Sequence, residues 1–126
     1  MTSNQKSEQL EERLIEFAVR IIKLYKQLPN FFAESYYGKQ LLRSSGSSAL
    51  NYGEARGAQS DRDFYHKVSV VLKELRESLV CLKIVARAEF FEQNKLDQLL
   101  DEGNQLVSIF VATKRALEKK LETKTK

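Results

Sequence analysis

Apolar residues recur along this chain in alternating steps of four and three. In the first stretch they fall at Leu10, Leu14, Phe17, Ile21, Leu24 and Leu28, the seam of an amphipathic helix. Ile15, Ala18, Ile22 and Tyr25 widen that stripe, so the helix is expected to face a core and not a single partner. Pro29 stops it, because proline has no amide N–H and disfavours helix in the residue before it. A later stretch opens at Ser60 with Asp63, an N-cap with a weak capping box. Phe64, Val68, Val71, Leu75, Leu79, Leu82 and Val85 follow at helical spacing. Val70, Leu72, Val80 and Ile84 lie off that seam and predict burial on a second face. A last stretch opens at Asn94 with Asp97 and runs through Leu96, Leu99, Leu100, Gly103, Leu106, Phe110, Leu117 and Leu121. Its final turns are mostly charged and are expected to project or fray.

Between the first and third patterns lies RSSGSSALNYGEARG, Arg43 to Gly57. On the same template Leu41, Ser45, Ser48, Tyr52 and Ala55 form a seam lined with small residues. Glycine in a helix costs up to about 1 kcal/mol, which suggests a return in close helix approach. Gly46 and Gly53 are the expected points of approach, Gly103 their counterpart, and Gly57 the C-terminal cap. Four helices, roughly 5–28, 34–56, 61–90 and 94–122, with short connections and no credible strand, predict an all-α, antiparallel up-and-down four-helix bundle. It fills a single domain, residues 1–126.

Composition agrees. A chain of 126 residues buries roughly two-thirds of the surface it exposes when unfolded, enough to fold without metal or disulfide. One proline and five glycines leave little room for loops. No run of about 18 apolar residues exists to span a membrane. The polar opening MTSNQKSEQLEE and the single Cys81 suggest a cytoplasmic protein. The net charge is +4 but unevenly spread. Residues 61–92 carry six acids and six bases, which cancel. From Lys114 onward stand Lys114, Arg115, Lys119, Lys120, Lys124 and Lys126 against Glu118 and Glu122. Such a tail can meet phosphate, yet bases are also favoured in the last turns of any helix by its macrodipole. The second reading is the commoner.

The serines invite catalytic readings that fail. A nucleophile elbow needs Gly-x-Ser-x-Gly, but in the run that Gly46 opens the fifth residue is Leu50. A phosphate loop needs four residues between its glycines and then Gly-Lys-Ser/Thr, whereas six separate Gly46 from Gly53 and Glu54 follows. His66 is the one histidine, without a second histidine or cysteine to share a metal. Cys81 lies on an apolar face and reads as inert. Glu74 and Glu77 lack the Glu-x-x-His pattern of carboxylate di-metal bundles; pairing with Arg43 or Arg56 is the simpler role, one that serves register. No cofactor is expected. Phe31, Phe32, Tyr36 and Tyr37 cluster beside Lys26 and Lys39, a pattern that can stack on single-stranded nucleic acid. A plug at the bundle end, or a subunit contact, is favoured over stacking, because bare phenylalanines are costly.

The segment from Tyr37 to about Phe91, and QLLRSSGSSALNYGEARGAQSDRDFYHKVSVVLKELRESL within it, resembles the four helix bundle protein family. Its founding members are encoded in intervening sequences of bacterial large-subunit ribosomal RNA genes. The matching residues are Arg43, Ser47, Asn51, Glu54, Ser60, Phe64, Glu74 and Glu77, with roles expected to be structural. The chain departs where many members have proline at Ala49, and alanine then glycine around the glutamate, where this chain has Gly53 and Ala55. The resemblance implies a non-enzymatic bacterial protein similar to others that form ring-shaped homopentamers. More distantly it is similar to accessory proteins of diversity-generating retroelements, basic rings that bind reverse transcriptase and nucleic acid. On that footing the expected function is an oligomeric scaffold binding RNA or a ribonucleoprotein partner. Arg13, Arg20, Lys23, Lys114, Arg115, Lys119 and Lys120 would supply its basic surface. The alternative is a protein-interaction module with no nucleic acid.

Overall fold

The computed structural model describes residues 1–125, the side chains of Gln93, Lys124 and Thr125 aside. Its helices are α1 (Ser3–Tyr25), α2 (Phe32–Arg56), α3 (Asp61–Arg87) and α4 (Asp97–Thr125), with a 3-10 turn over Gln93–Leu96 leading into α4. No strand occurs among the described residues.

Helix ends follow local chemistry. Thr2 and Gln5 form a reciprocal capping box, so α1 starts earlier than its apolar seam suggests. It also ends earlier, with Gln27 N–H donating to Leu24 O and Leu28 N–H to Tyr25 O as the chain tightens ahead of Pro29. Ser60 Oγ accepts from Asp63 N–H at 3.0 Å and caps α3. Gly57 is the C-cap of α2 but keeps φ at −96° and not the left-handed turn that favours glycine. The left-handed residue is instead Glu89, at φ 59°. There Phe90 N–H reaches Val85 O and Glu89 N–H reaches Ala86 O, the two bonds of a Schellman motif. This ends α3 at Arg87, short of the expected boundary near residue 90. Asn94 sits in the 3-10 turn and not at a helix cap, and α4 begins at Asp97.

Neighbouring helices run antiparallel. As α3 advances from Lys67 to Ser78, its partners in α2 retreat from Glu54 to Ser44. As α3 advances from Asp61 to Leu79, α4 retreats from Lys120 to Gly103. The α2–α3 pair is the most extensive contact, α1 packs on α2 and α4 on α3, and the α1–α4 seam is the thinnest. The bundle therefore has α2 diagonal to α4. Tyr52 and Phe110 meet edge-to-face across that diagonal, ring centres 5.3 Å apart.

The small-residue seam of α2 is real. Leu41, Ser45, Ser48, Tyr52 and Ala55 are all buried, with Ser44 beside them. The glycine explanation is not. A Cβ on Gly46 would meet nothing within 4 Å, and one on Gly53 only Glu11. Close approach occurs at Gly38, where a Cβ would overlap the Tyr25 ring (Cε2 at 2.7 Å), and at Gly103, against Leu79 at 3.2 Å. Two further expectations split. Ile15 and Ile22 stay exposed on α1, because the stripe that faces the core is narrower than the apolar stripe in the sequence. On α3, Leu72 turns inward and Val70 is half-buried, whereas Val80 and Ile84 face solvent. Toward the end of α4, Leu117 is still buried and Lys120 reaches Asp61, the first residue of α3, at 3.4 Å, so the bundle holds α4 at least that far.

The glycines yield a paired prediction. Gly46→Ala should stabilise the protein by up to about 1 kcal/mol through helix propensity. Gly38→Ala should destabilise it by about 1–3 kcal/mol through overpacking against Tyr25. Thermal melts followed by circular dichroism should show Tm moving in opposite directions, by a few degrees for each kilocalorie at this chain length.

Candidate functional site

The polar residues shared with the resembled family line the α2–α3 seam. Arg43 Nη1 donates to Glu74 Oε2 at 2.9 Å, and its Nη2 meets Glu77. Asn51 Nδ2 donates to the backbone oxygen and hydroxyl of Ser47 at 2.9 and 3.0 Å. Lys67 Nζ donates to Glu54 at 2.8 Å, and that carboxylate raises the lysine pKa above its usual value. Phe64 packs half-buried against the core. Deeper in the seam lies Ser78, which spacing alone did not single out; its hydroxyl shares a 2.6 Å hydrogen bond with that of Ser44. Ser45 and Ser48 donate back to Leu41 O and Ser45 O, each at 2.7 Å. Among the described residues no buried side-chain polar atom lacks a partner. These hydroxyls are occupied in packing, and no histidine approaches them to act as a base.

Other reactive side chains are dispersed. Among the described residues no three of His, Cys, Asp or Glu gather as metal ligands would. Cys81 is buried with Sγ 3.8 Å from Tyr37 O, and burial pushes its thiol pKa up, away from the reactive thiolate. No helix among the described residues is long and apolar enough to cross a membrane.

The basic residues singled out from sequence do not form one patch. Arg13 forks onto Glu102, Nη2 to Oε1 at 2.7 Å, and also reaches Gln105. Lys114 stands over the Tyr65 ring at 5.8 Å, Tyr65 donates to Glu118 at 3.0 Å, and Lys120 pairs with Asp61. Arg20 is half-buried, while Lys23, Arg115 and Lys119 are exposed and form no ion pair among the described residues. Lys126 and the Lys124 side chain lie outside the described residues. The antiparallel register set by Arg13 and Glu102 puts Lys23 and Lys114 toward opposite ends of the bundle, about 33 Å apart along its axis at 1.5 Å per residue.

A different cationic surface emerges on α3. Arg62, His66, Ser69, Lys73, Arg76, Val80, Lys83 and Arg87 repeat the four-three step on the outward side of the helix, and all but the half-buried Ser69 are exposed. Two acids of α3, Glu74 and Glu77, turn to Arg43 on α2, and Asp61 pairs with Lys120 of α4, while Asp63 stands exposed in the first turn beside Arg62. Residues 61–92 are neutral in sum, but the fold separates the two signs. The spacing of these bases was legible; counting net charge concealed it.

Beside this stripe lies an apolar face. Tyr36, Tyr37, Val80, Cys81 and Ile84 line a shallow groove between α2 and α3, edged by Gln40, Arg76 and Glu77. Phe32, one turn from Tyr36, is 89% exposed. Phe31 is exposed as well, which overturns the plug reading of the aromatic cluster.

The serine pair makes a stability prediction. Ser44→Ala should cost about 1–2 kcal/mol, because it strands the buried Ser78 hydroxyl. The double variant Ser44→Ala/Ser78→Ala should cost less than the two single costs combined, as urea titrations of all four proteins would show.

Comparison with known proteins places this architecture. No functionally curated protein matches the chain. A crystal structure of a protein of unknown function from the S23 ribosomal protein family of Bacteroides thetaiotaomicron is 32% identical, with a TM-score of 0.79 over 87% of this chain and 98% of that one. The family model described as 23S rRNA-intervening sequence protein matches residues 6–112. That span holds the buried seams of α1, α2 and α3, the Arg43–Glu74 pair and most of α4. The chain belongs to the 23S rRNA-intervening sequence protein family.

Proposed function

We propose that this protein is a non-catalytic helical bundle that acts by docking and assembles with its own copies through the outer face of α2 and α3. One observation carries the reading: Phe32, Tyr36, Val80 and Ile84 are 89%, 49%, 56% and 38% exposed on a single face. Leaving that much apolar surface in water is costly, and contiguous exposed patches mark interaction sites. The aromatic content suits a subunit contact, where tyrosine and phenylalanine are enriched. The ring-shaped homopentamers that the sequence resembles make a second copy the natural occupant.

A second reading, a scaffold for RNA or a ribonucleoprotein, draws on the exposed cations. Arg115 and Lys119 project from α4 with no acid holding them among the described residues, and symmetry would repeat them around a ring. Phosphate contacts of this sort are salt-dependent because binding releases counterions.

Light scattering tests the first reading. The expected mass is a multiple of the 14.6 kDa chain, near five copies, falling to one copy in Val80→Glu/Ile84→Glu while the helical spectrum is kept. A wild-type mass of one chain at all concentrations sinks the assembly.

A further inference from the structure

We infer that the outer face of α1 and α2 receives the α2–α3 groove of a second copy, so that each subunit contact joins two different faces. The inference rests on the assembly reading above and supplies the mating surface that the groove requires. That face is apolar along two rows. On α1, Ile15 and Ile22 are exposed in the row of Glu11 and Tyr25, which lie against Arg56 and Gly38 of α2. On α2, Leu42, Gly46 and Ala49 fill the helical steps between Gly38 and Gly53 without a charge. At Gly46 nothing of the chain stands within 4 Å of where a Cβ would be. A face two helices wide and about 35 Å long offers roughly 700 Å², close to the ~800 Å² that each partner buries in a stable interface.

Charge selects a second copy as the occupant. Glu12 and Glu16 border the receiving face on α1, exposed and without an ion pair among the described residues. Lys73 and Arg76 border the groove on α3 in the same condition. A groove against a groove would set bases against bases, and a receiving face against its like would set acids against acids, so both symmetric pairings are disfavoured. The mixed pairing matches sign and height. α1 and α3 run in the same direction, with Glu11 level with Gly53 and Lys67 with Glu54. On that register Glu12 and Glu16 fall within about a turn and a half of Lys73 and Arg76, and Ile22 within about a turn of Val80. Only a second chain can bring these together, because α1 and α3 of one chain do not touch among the described residues. The two faces meet at α2, diagonal to α4, so they look outward about a right angle apart. Copies joined this way turn by about 70–90° at each step and close after about four or five, with α2 innermost and α4 outermost.

The test is charge reversal with rescue, read as mass by light scattering over a concentration series of the full chain near 0.1 M salt. Four variants are compared with wild type: Glu12→Lys/Glu16→Lys, Arg76→Glu/Lys73→Glu, the chain carrying all four reversals, and the uncharged Ile15→Ser/Ile22→Ser. Every substituted position is exposed, and the helical spectrum and melting curve verify folding. Each two-site reversal should raise the concentration needed for assembly by at least about tenfold, since like charges then face each other. The four-site chain should assemble as wild type does, and the serine variant should be weakened like the reversals. Wild-type assembly in both reversals and in the serine variant would overturn the inference and leave the assembly reading in place. A four-site chain that stays as dissociated as its parents would overturn the pairing of α1 with α3. A wild-type mass of two chains would overturn it as well, because two identical faces then suffice. A wild-type mass of one chain would overturn it together with the assembly reading.

Discussion

How closely α2 can lie against α3 governs the rest of this bundle. The buried face of α2 carries serine at 44, 45 and 48 where a leucine seam would hold helices further apart, and α3 answers with Ser78. Small side chains bring the axes together, but each buried hydroxyl then requires a partner. Ser45 and Ser48 solve this within their own helix, donating to carbonyls three or four residues back. Ser44 and Ser78 solve it together across the seam, which links proximity to register. Where α2 contributes little volume, bulk comes from other helices, with Phe17 and Phe110 the largest fully buried side chains.

Much of this is legible in the order of residues because burial in a helix has a period. The four-three seams of α1, α3 and α4 and the serine-lined seam of α2 all face the core. What the period does not reveal is which side of a wide stripe has a neighbour. Ile15 and Ile22 on α1, and Val80 and Ile84 on α3, sit at positions that look like core and face water. Glycine is equally ambiguous: Gly46, expected to mark a close approach, faces open space, while Gly38, which the spacing did not single out, faces the Tyr25 ring. The end of α3 was hidden for a third reason, since the residue that takes the left-handed turn is Glu89 and not a glycine.

Charge shows the same limit in another form. A sum over residues 61–92 comes to zero, and a sum has no direction. In the fold, Glu74 and Glu77 face Arg43 while Lys73, Arg76, Lys83 and Arg87 face outward. Over its middle turns the helix is polarised across its width. Among the candidate cations chosen by position in the chain, Arg13 and Lys120 prove to be bound to acids of the same molecule. Those on α3 required only an angular reading, which a tally of composition does not make.

The unequal seams also bear on how the molecule comes apart. With α2 and α3 joined most extensively, and α1 and α4 meeting only along a thin edge clasped by Arg13 and Glu102, the four helices resemble a curled strip more than a closed cylinder. Local opening takes the route that breaks the fewest contacts, so the strip uncurls at its free edge before its spine yields. Backbone amides in α1 and α4 should therefore lie at the lower end of the protection scale and those of the central hairpin at the top. Both outward faces of that hairpin, the apolar groove and the row of bases, belong to the part of the molecule that is last to lose its shape.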